Sequence, residues 1–254
     1  YGPPATRRRW ARSLEEQKPV AQRDERRTGA ADEASECVIE GRNAVTEALR
    51  AGRTIDKLYI VSGDTDHGLQ RLASQARQAG IVVVSADRRK LDQMSVTGAH
   101  QGVIAMAAAH TYVPVEQMLA SARERGEAPL LILCDELNDP HNLGAILRTA
   151  ECVGAHGVII PKRRSIGLTA TVAKASAGAI EYMPVARVSN LTDTIKMLKK
   201  EGVWIYGTAA KGEKSLYETD LTGPAAIVIG SEGTGMSRLV EEQCDFLVSI
   251  PMKG

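Results

Sequence analysis

Aromatic side chains are scarce, at 4% of the 254 residues, with Phe246 the lone phenylalanine beside two tryptophans and six tyrosines. Recognition of nucleic acid by stacking bases on an aromatic sheet surface needs more than this and is disfavoured. Cysteine is rarer still. Cys37, Cys134, Cys152 and Cys244 lie far apart and form no CxxC pair, which fits reduced thiols in a cytosolic protein better than a disulfide scaffold. No apolar run approaches the ~20 residues of a membrane span, and the opening YGPPATRRRWARS lacks the apolar core of a secretory signal. Net charge is only +1, so no global basic field points to nucleic acid. His67, His100, His110, His141 and His156 make no i,i+3 or i,i+4 pair and have no cysteine at ligand spacing. A structural metal is therefore not expected. A Gly-x-Ser-x-Gly elbow is missing as well, which leaves a hydrolase triad without an anchor.

What remains is ordinary globular composition, 43% hydrophobic and 25% charged. Charge is unevenly placed: residues 1–112 sum to +3 and residues 113–254 to −2. Residues 1–36 are poor in large aliphatics and start with four arginines among twelve residues. They read as a flexible basic arm, able to add phosphate affinity without specificity. Between 37 and 112 strand patterns at 58–61, 81–84 and 102–106 alternate with helical patterns through 51 and at 68–79 and 88–94, a small α/β layer domain. The polar stretch at 113–127 reads as a helical linker. From 128 to 254 a second series follows. Its strands fall at 130–134, 157–160, 183–188, 203–207, 225–230 and 246–250, and its helices at 142–153, 170–178, 191–200 and 237–243. Leu130-Leu-Ile-Leu-Cys134 has no polar interruption, as a central parallel strand covered on both faces requires. The fold class is thus α/β, two domains, the second on a mainly parallel sheet.

Three loops lie at strand carboxyl ends, where open α/β sheets bind ligands. The first is Asn138-Asp-Pro-His-Asn-Leu-Gly-Ala-Ile-Leu-Arg148, with Asp139-Pro140 suited to a helix entry. Asn142 and Arg148 point roughly 120° apart on an ideal helix; they share a site only if Asn142 sits in the loop or first turn. The second, Ile227-Val-Ile-Gly-Ser-Glu-Gly-Thr-Gly-Met236, sets three glycines around one carboxylate. It is neither a P-loop nor a dinucleotide fingerprint. Glu232 repels phosphate, so a ligand with positive charge or hydroxyl donors fits better. The third is Val248-Ser-Ile-Pro-Met-Lys-Gly254, whose Ile250 and Met252 suit an apolar adenine or thioether contact. Lys162-Arg163-Arg164, after a strand, is a candidate phosphate patch.

Together these loops resemble the three motifs of the SpoU (TrmH-like) branch of the SPOUT RNA methyltransferases: N-D-P-H-N-L-G-A-I-L-R-T-A, I-G-S-E-G-T-G-M and the start of the third, S-I-P-M-K-G. The blocks V-I-E-G-R-N-A-V and G-A-H-Q-G-V resemble the small substrate-binding domain of bacterial large-subunit rRNA guanosine 2′-O-methyltransferases of RlmB type. The resemblance implies a carboxyl-terminal trefoil knot, an RNA-binding first domain similar to a ribosomal protein, a homodimer and S-adenosyl-L-methionine as methyl donor. The acceptor it implies is a ribose 2′-hydroxyl, in 23S rRNA before tRNA. By motif position Asn142, Arg148 and Glu232 are the catalytic candidates. Thr208, Ala209, Ile229, Gly230, Ile250 and Met252 would hold the cofactor, and Arg42, His100, Gln101 and Arg148 would contact RNA. The family's third motif continues past the point where this sequence stops, and a chain ending at Gly254 is expected to bind cofactor weakly. The competing expectations are a non-catalytic RNA-binding paralogue and, less favoured, a nucleotide-binding oxidoreductase.

Overall fold

The computed structural model describes residues 37–63, 66–210, 212 and 214–251. The basic arm at 1–36 and the cofactor candidate Met252 lie outside the described residues. Alternating apolar positions build the first domain in the order β1 (Val38–Glu40), α1 (Arg42–Arg50), β2 (Ile55–Val61), α2 (His67–Gln78), β3 (Val82–Ala86), α3 (Arg88–Met94) and β4 (Val103–Ala107). The sheet order is β1-β4-β2-β3, with β2 and β3 parallel and the other pairs antiparallel. Successive residues of a strand face opposite ways. In β4, Val103 and Ala105 therefore pack with Val45, Leu69 and Leu72 of α1 and α2, while Ile104 joins Leu91 of α3 on the other face. Asp66 and Asp87 cap α2 and α3 through their side chains, each satisfying amides that a helix start leaves unpaired.

The second domain runs α4 (Val115–Arg125), β5 (Leu130–Cys134), α5 (Pro140–Cys152), β6 (Gly157–Pro161), α6 (Ala170–Ala175), β7 (Val185–Val188), α7 (Leu191–Lys200), β8 (Trp204–Thr208), β9 (Lys214–Ser215), β10 (Ala225–Ile229), α8 (Arg238–Glu241) and β11 (Phe246–Ser249). Its strands are ordered β7-β6-β5-β10-β8-β11-β9, parallel at every pair. Parallel pairing points all the strand ends, and so all three sequence loops, at one edge. Leu131 and Leu133 meet α4, α7 and α8 on one face; Ile132 and Cys134 meet α5 and α6 on the other. Two buried faces explain the unbroken apolar run of β5. Helix α4 falls in the stretch expected to be a linker. Its Val115, Met118, Leu119 and Ala122 are buried at helical spacing, so it belongs to the second domain's core.

A buried polar cluster joins the domains. Arg187 Nη1 of β7 donates to Asp56 Oδ1 of β2 at 2.6 Å, and both side chains are under a tenth exposed. The Tyr112 hydroxyl donates to the same carboxylate at 2.8 Å and accepts from Leu168 N at 2.9 Å. Burial raises the Tyr112 phenol far above its ordinary value, and the adjacent Asp56 charge adds to this. No helix among the described residues is long and apolar enough to cross a membrane.

Candidate active site

Three strand ends converge on the site. After β5, Asp139 accepts from His141 N at 2.8 Å, with Pro140 at the first helical position, where its missing amide costs nothing. This start puts Asn142 in the first turn of α5, the geometry under which it can join the second loop. It does so: Asn142 Nδ2 donates to Glu232 Oε1 at 2.7 Å, across 90 residues of chain. A carboxylate oxygen only accepts, so the amide nitrogen faces Glu232. Among the described residues the carbonyl oxygen and second N–H of Asn142 have no partner, which leaves them for a substrate.

The loop carrying Glu232 closes on itself. Ser231 and Gly235 exchange both backbone hydrogen bonds, at 2.9 and 3.0 Å, and the Ser231 and Thr234 hydroxyls are 2.7 Å apart. Gly230 is required here, because a Cβ on it would stand 2.2 Å from the Gly235 carbonyl carbon. Asp135, buried at the end of β5, latches the loop on both sides: its N donates to Ile229 O at 2.8 Å, and its Oδ2 accepts from Ser237 N at 2.7 Å. Thr208 Oγ1 donates to Val228 O at 2.8 Å and Ala209 N to Val248 O at 2.9 Å, which ties the ends of β8, β10 and β11 together.

Between these loops lies a cavity of ≈ 510 Å³, with Thr208, Ala209, Gly230, Glu232 and Ile250 in its wall. Two carboxylates, Glu232 and Glu241, line it, and among the described residues no Lys or Arg does. Such a cavity favours a ligand carrying positive charge. The thiol of Cys134, fully buried at the end of β5, is pushed up by burial to about 12, which removes it as a nucleophile at neutral pH.

Four of the six cofactor candidates, Thr208, Ala209, Gly230 and Ile250, thus share one cavity. Ile229 sits behind the wall, its carbonyl engaged by Asp135. Arg148 stands exposed on α5, and among the described residues no hydrogen bond or ion pair joins it to Asn142 or Glu232. In the first domain Arg42, His100 and Gln101 line one pocket with Arg88. Arg42 N donates to Gln101 Oε1 at 3.1 Å. His100 is 3% exposed, with Nδ1 accepting from Gly102 N and Nε2 bonded to Asp92. It shapes the turn, and the reachable groups are Arg42, Arg88 and Gln101. Sequence reasoning missed Asp135, Glu241 and Arg88. A carboxylate ending an otherwise apolar strand was a signal for Asp135; the other two have none.

Comparison with known proteins bears on this geometry. The pattern of the SpoU rRNA Methylase family matches residues 129–254, and that of RNA 2′-O ribose methyltransferase substrate binding matches residues 38–113. A TrmH family tRNA/rRNA methyltransferase of Bacillus subtilis (strain 168), YacO, is 50% identical over 216 residues, covering 85% of this chain and 86% of its own. A TrmH family tRNA/rRNA methyltransferase of Staphylococcus aureus (strain COL) is 46% identical over 217 residues, covering 85% and 87%. In fold, the chain is similar to the SpoU methyltransferase AviRb from Streptomyces viridochromogenes in complex with the cofactor AdoMet, with a TM-score of 0.51, 21% identity, and 85% and 81% of the two chains covered. Both patterns in order, and half the residues shared with a relative over most of both lengths, establish that the chain belongs to the SpoU/TrmH family of RNA methyltransferases.

Proposed function

We propose that this protein methylates a ribose 2′-hydroxyl of RNA, with S-adenosyl-L-methionine as donor and a guanosine of 23S rRNA as the favoured target, acting in the cytoplasm as a homodimer on a knotted second domain. The observation that carries the proposal is the Asn142–Glu232 hydrogen bond of 2.7 Å beside a cavity whose described wall holds the carboxylates Glu232 and Glu241 among small residues. S-adenosyl-L-methionine fits that cavity: its volume lies within the usual ligand range of about 300–1,000 Å³, and Glu232 and Glu241 complement a sulfonium. Thr208, Ala209, Gly230 and Ile250 would hold the cofactor, which when bound supplies an electrophilic methyl group.

The chain's own residues then align and polarise the acceptor. Asn142, held by Glu232, presents its free carbonyl oxygen and N–H to the ribose, since fixing the attacking oxygen in line accounts for much of the rate of such a displacement. Arg148 grips the phosphate of the target nucleotide and stabilises the negative charge that develops on the 2′-oxygen. A guanidinium stays charged at neutral pH, so electrostatic stabilisation is its role rather than proton abstraction. RNA as the substrate draws support from the substrate-binding pattern at 38–113 and from the Arg42, Arg88 and Gln101 pocket. The discriminating experiment is calorimetric titration with S-adenosyl-L-methionine. Saturable binding that Glu232→Lys abolishes is expected, whereas no saturable uptake by the wild type leaves only an RNA-binding paralogue.

A further inference from the structure

On the same edge of the second sheet, a second feature faces the first domain. Two adjoining cavities, of ≈ 540 and ≈ 360 Å³, share Gly80, Ile81 and Lys162 and make one cleft between the domains. Five cations line it: Arg53 and Arg77 from the first domain, Lys162, Arg163 and Arg187 from the second. Among the described residues no carboxylate does. Arg187 is balanced by Asp56, so the positive charge offered where the two halves meet rests on Arg77, Lys162 and Arg163. Arg77 and Arg163 are exposed, and among the described residues neither has an ion-pair partner. Lys162 reaches across to Gly80 O, with Nζ at 3.4 Å, which keeps its ammonium in the gap.

Arg187 supplies an independent sign. Its Nη1 is taken by Asp56 and its Nη2 donates to Lys162 O at 3.3 Å, yet its Nε is buried with no hydrogen-bond partner among the described residues. Leaving a charged donor unpaired in the interior costs more than leaving a neutral one. An anion in the cleft beside Lys162 would offset part of that cost through its charge, without touching the buried Nε.

We infer that this cleft is a backbone-phosphate site for the RNA strand, gripping phosphates a few nucleotides from the one whose ribose enters the active site. Lys162 and Ser189 follow the carboxyl ends of β6 and β7, the edge that bears Asn142 and Glu232. From β6 across β5 to β10 is two strand spacings, about 10 Å, the rise of roughly three phosphates in a stacked strand. A strand held here by both domains therefore reaches the catalytic loops. The inference rests on the methyltransferase proposal for its direction along the strand, but its test does not need methyl transfer.

The test compares wild type with the Arg77→Ala/Lys162→Ala/Arg163→Ala variant, binding fluorescently labelled transcripts of 23S rRNA fragments and of tRNA from about 50 to 200 mM salt. The variant should lose tenfold or more in RNA affinity at the lower salt. Its salt slope should be shallower by about 0.7 per phosphate contact removed. Binding of S-adenosyl-L-methionine should not change, because none of the three residues lines that cavity. Arg77→Lys/Arg163→Lys should keep the wild-type slope, which separates loss of charge from damage to the fold. An unchanged slope and affinity in the triple variant overturns the inference even if the wild type methylates RNA. A lost slope with no methylation by wild type upholds the cleft and sinks the methyltransferase proposal. Saturable binding of inorganic pyrophosphate that the triple variant loses, with RNA affinity intact, also overturns it and marks a small-anion site.

Discussion

Glu232 is an exposed carboxylate whose position depends on its neighbours more than on itself. Gly230 lets the loop double back, Ser231 and Gly235 close it, and Asp135 pins both ends. Gly230→Ala places a methyl group against backbone that has no room to yield, and such overpacking costs about 1–3 kcal/mol. Affinity for S-adenosyl-L-methionine should fall by about tenfold or more while the far-ultraviolet circular dichroism stays native. Wild-type affinity in this variant contradicts a loop-built cavity. Arg148→Lys tests a different property, since lysine keeps the charge but loses the bidentate fork. Methyl transfer should drop by about 10²-fold, the lower range for losing one donor to a developing oxyanion. Near-wild-type transfer by that variant rules out the bidentate grip.

Elements differ in how far their sequence exposes them. The strand at 130–134 and the helices at 88–94 and 191–200 match their expected bounds, because an unbroken apolar run and strong 3.6-residue periodicity are local signals. Elsewhere one residue decides. Helix α6 stops at Ala175, short of 178, because Ala177 and Gly178 take left-handed φ of 50° and 91°. Strand β7 starts at Val185 rather than 183, just after Pro184, which has no N–H to donate. The early start of β2, at Ile55, coincides with a register irregularity between Ile55 and Lys57. The Asp135–Ser237 latch spans 102 residues, and no periodicity reports a contact at that range. The motif loops were legible; what holds them was not.

The turn after α3 carries a pH dependence. Despite some burial, bonds from Ser95, Thr97 and the Val96 amide hold the Glu40 carboxyl below its ordinary value of 4.5. A depressed folded-state pKa gives stabilisation that is complete above the unfolded value and lost as pH falls through the folded one. Glu40→Gln should therefore melt below wild type at neutral pH, with the gap closing as the pH is taken below the ordinary carboxyl value of 4.5. A gap of constant size at both pH values contradicts this role for Glu40.

At the scale of the whole molecule, the buried Asp56–Arg187 pair, with Tyr112 partly buried beside it, ties the two α/β domains together. Removing one partner of a buried pair leaves an uncompensated charge, at a cost of about 3–5 kcal/mol. Asp56→Ala should split thermal unfolding into two calorimetric transitions, one per domain. A single transition with wild-type midpoint means the cluster does not couple them. The scarcity of aromatics also takes on meaning at this scale. On the proposed reading, substrate contact passes to cations at the cleft and in the first-domain pocket, which suits recognition of RNA by phosphate, shape and 2′-hydroxyl. Whether that RNA is methylated on ribose is decided by incubating the protein with isotopically labelled S-adenosyl-L-methionine and separate transcripts of 23S rRNA and tRNA, then digesting to nucleosides for mass spectrometry. Label should appear in 2′-O-methylguanosine from the 23S transcript and vanish with Asn142→Ala; label on a base, or on neither RNA, contradicts the proposed chemistry.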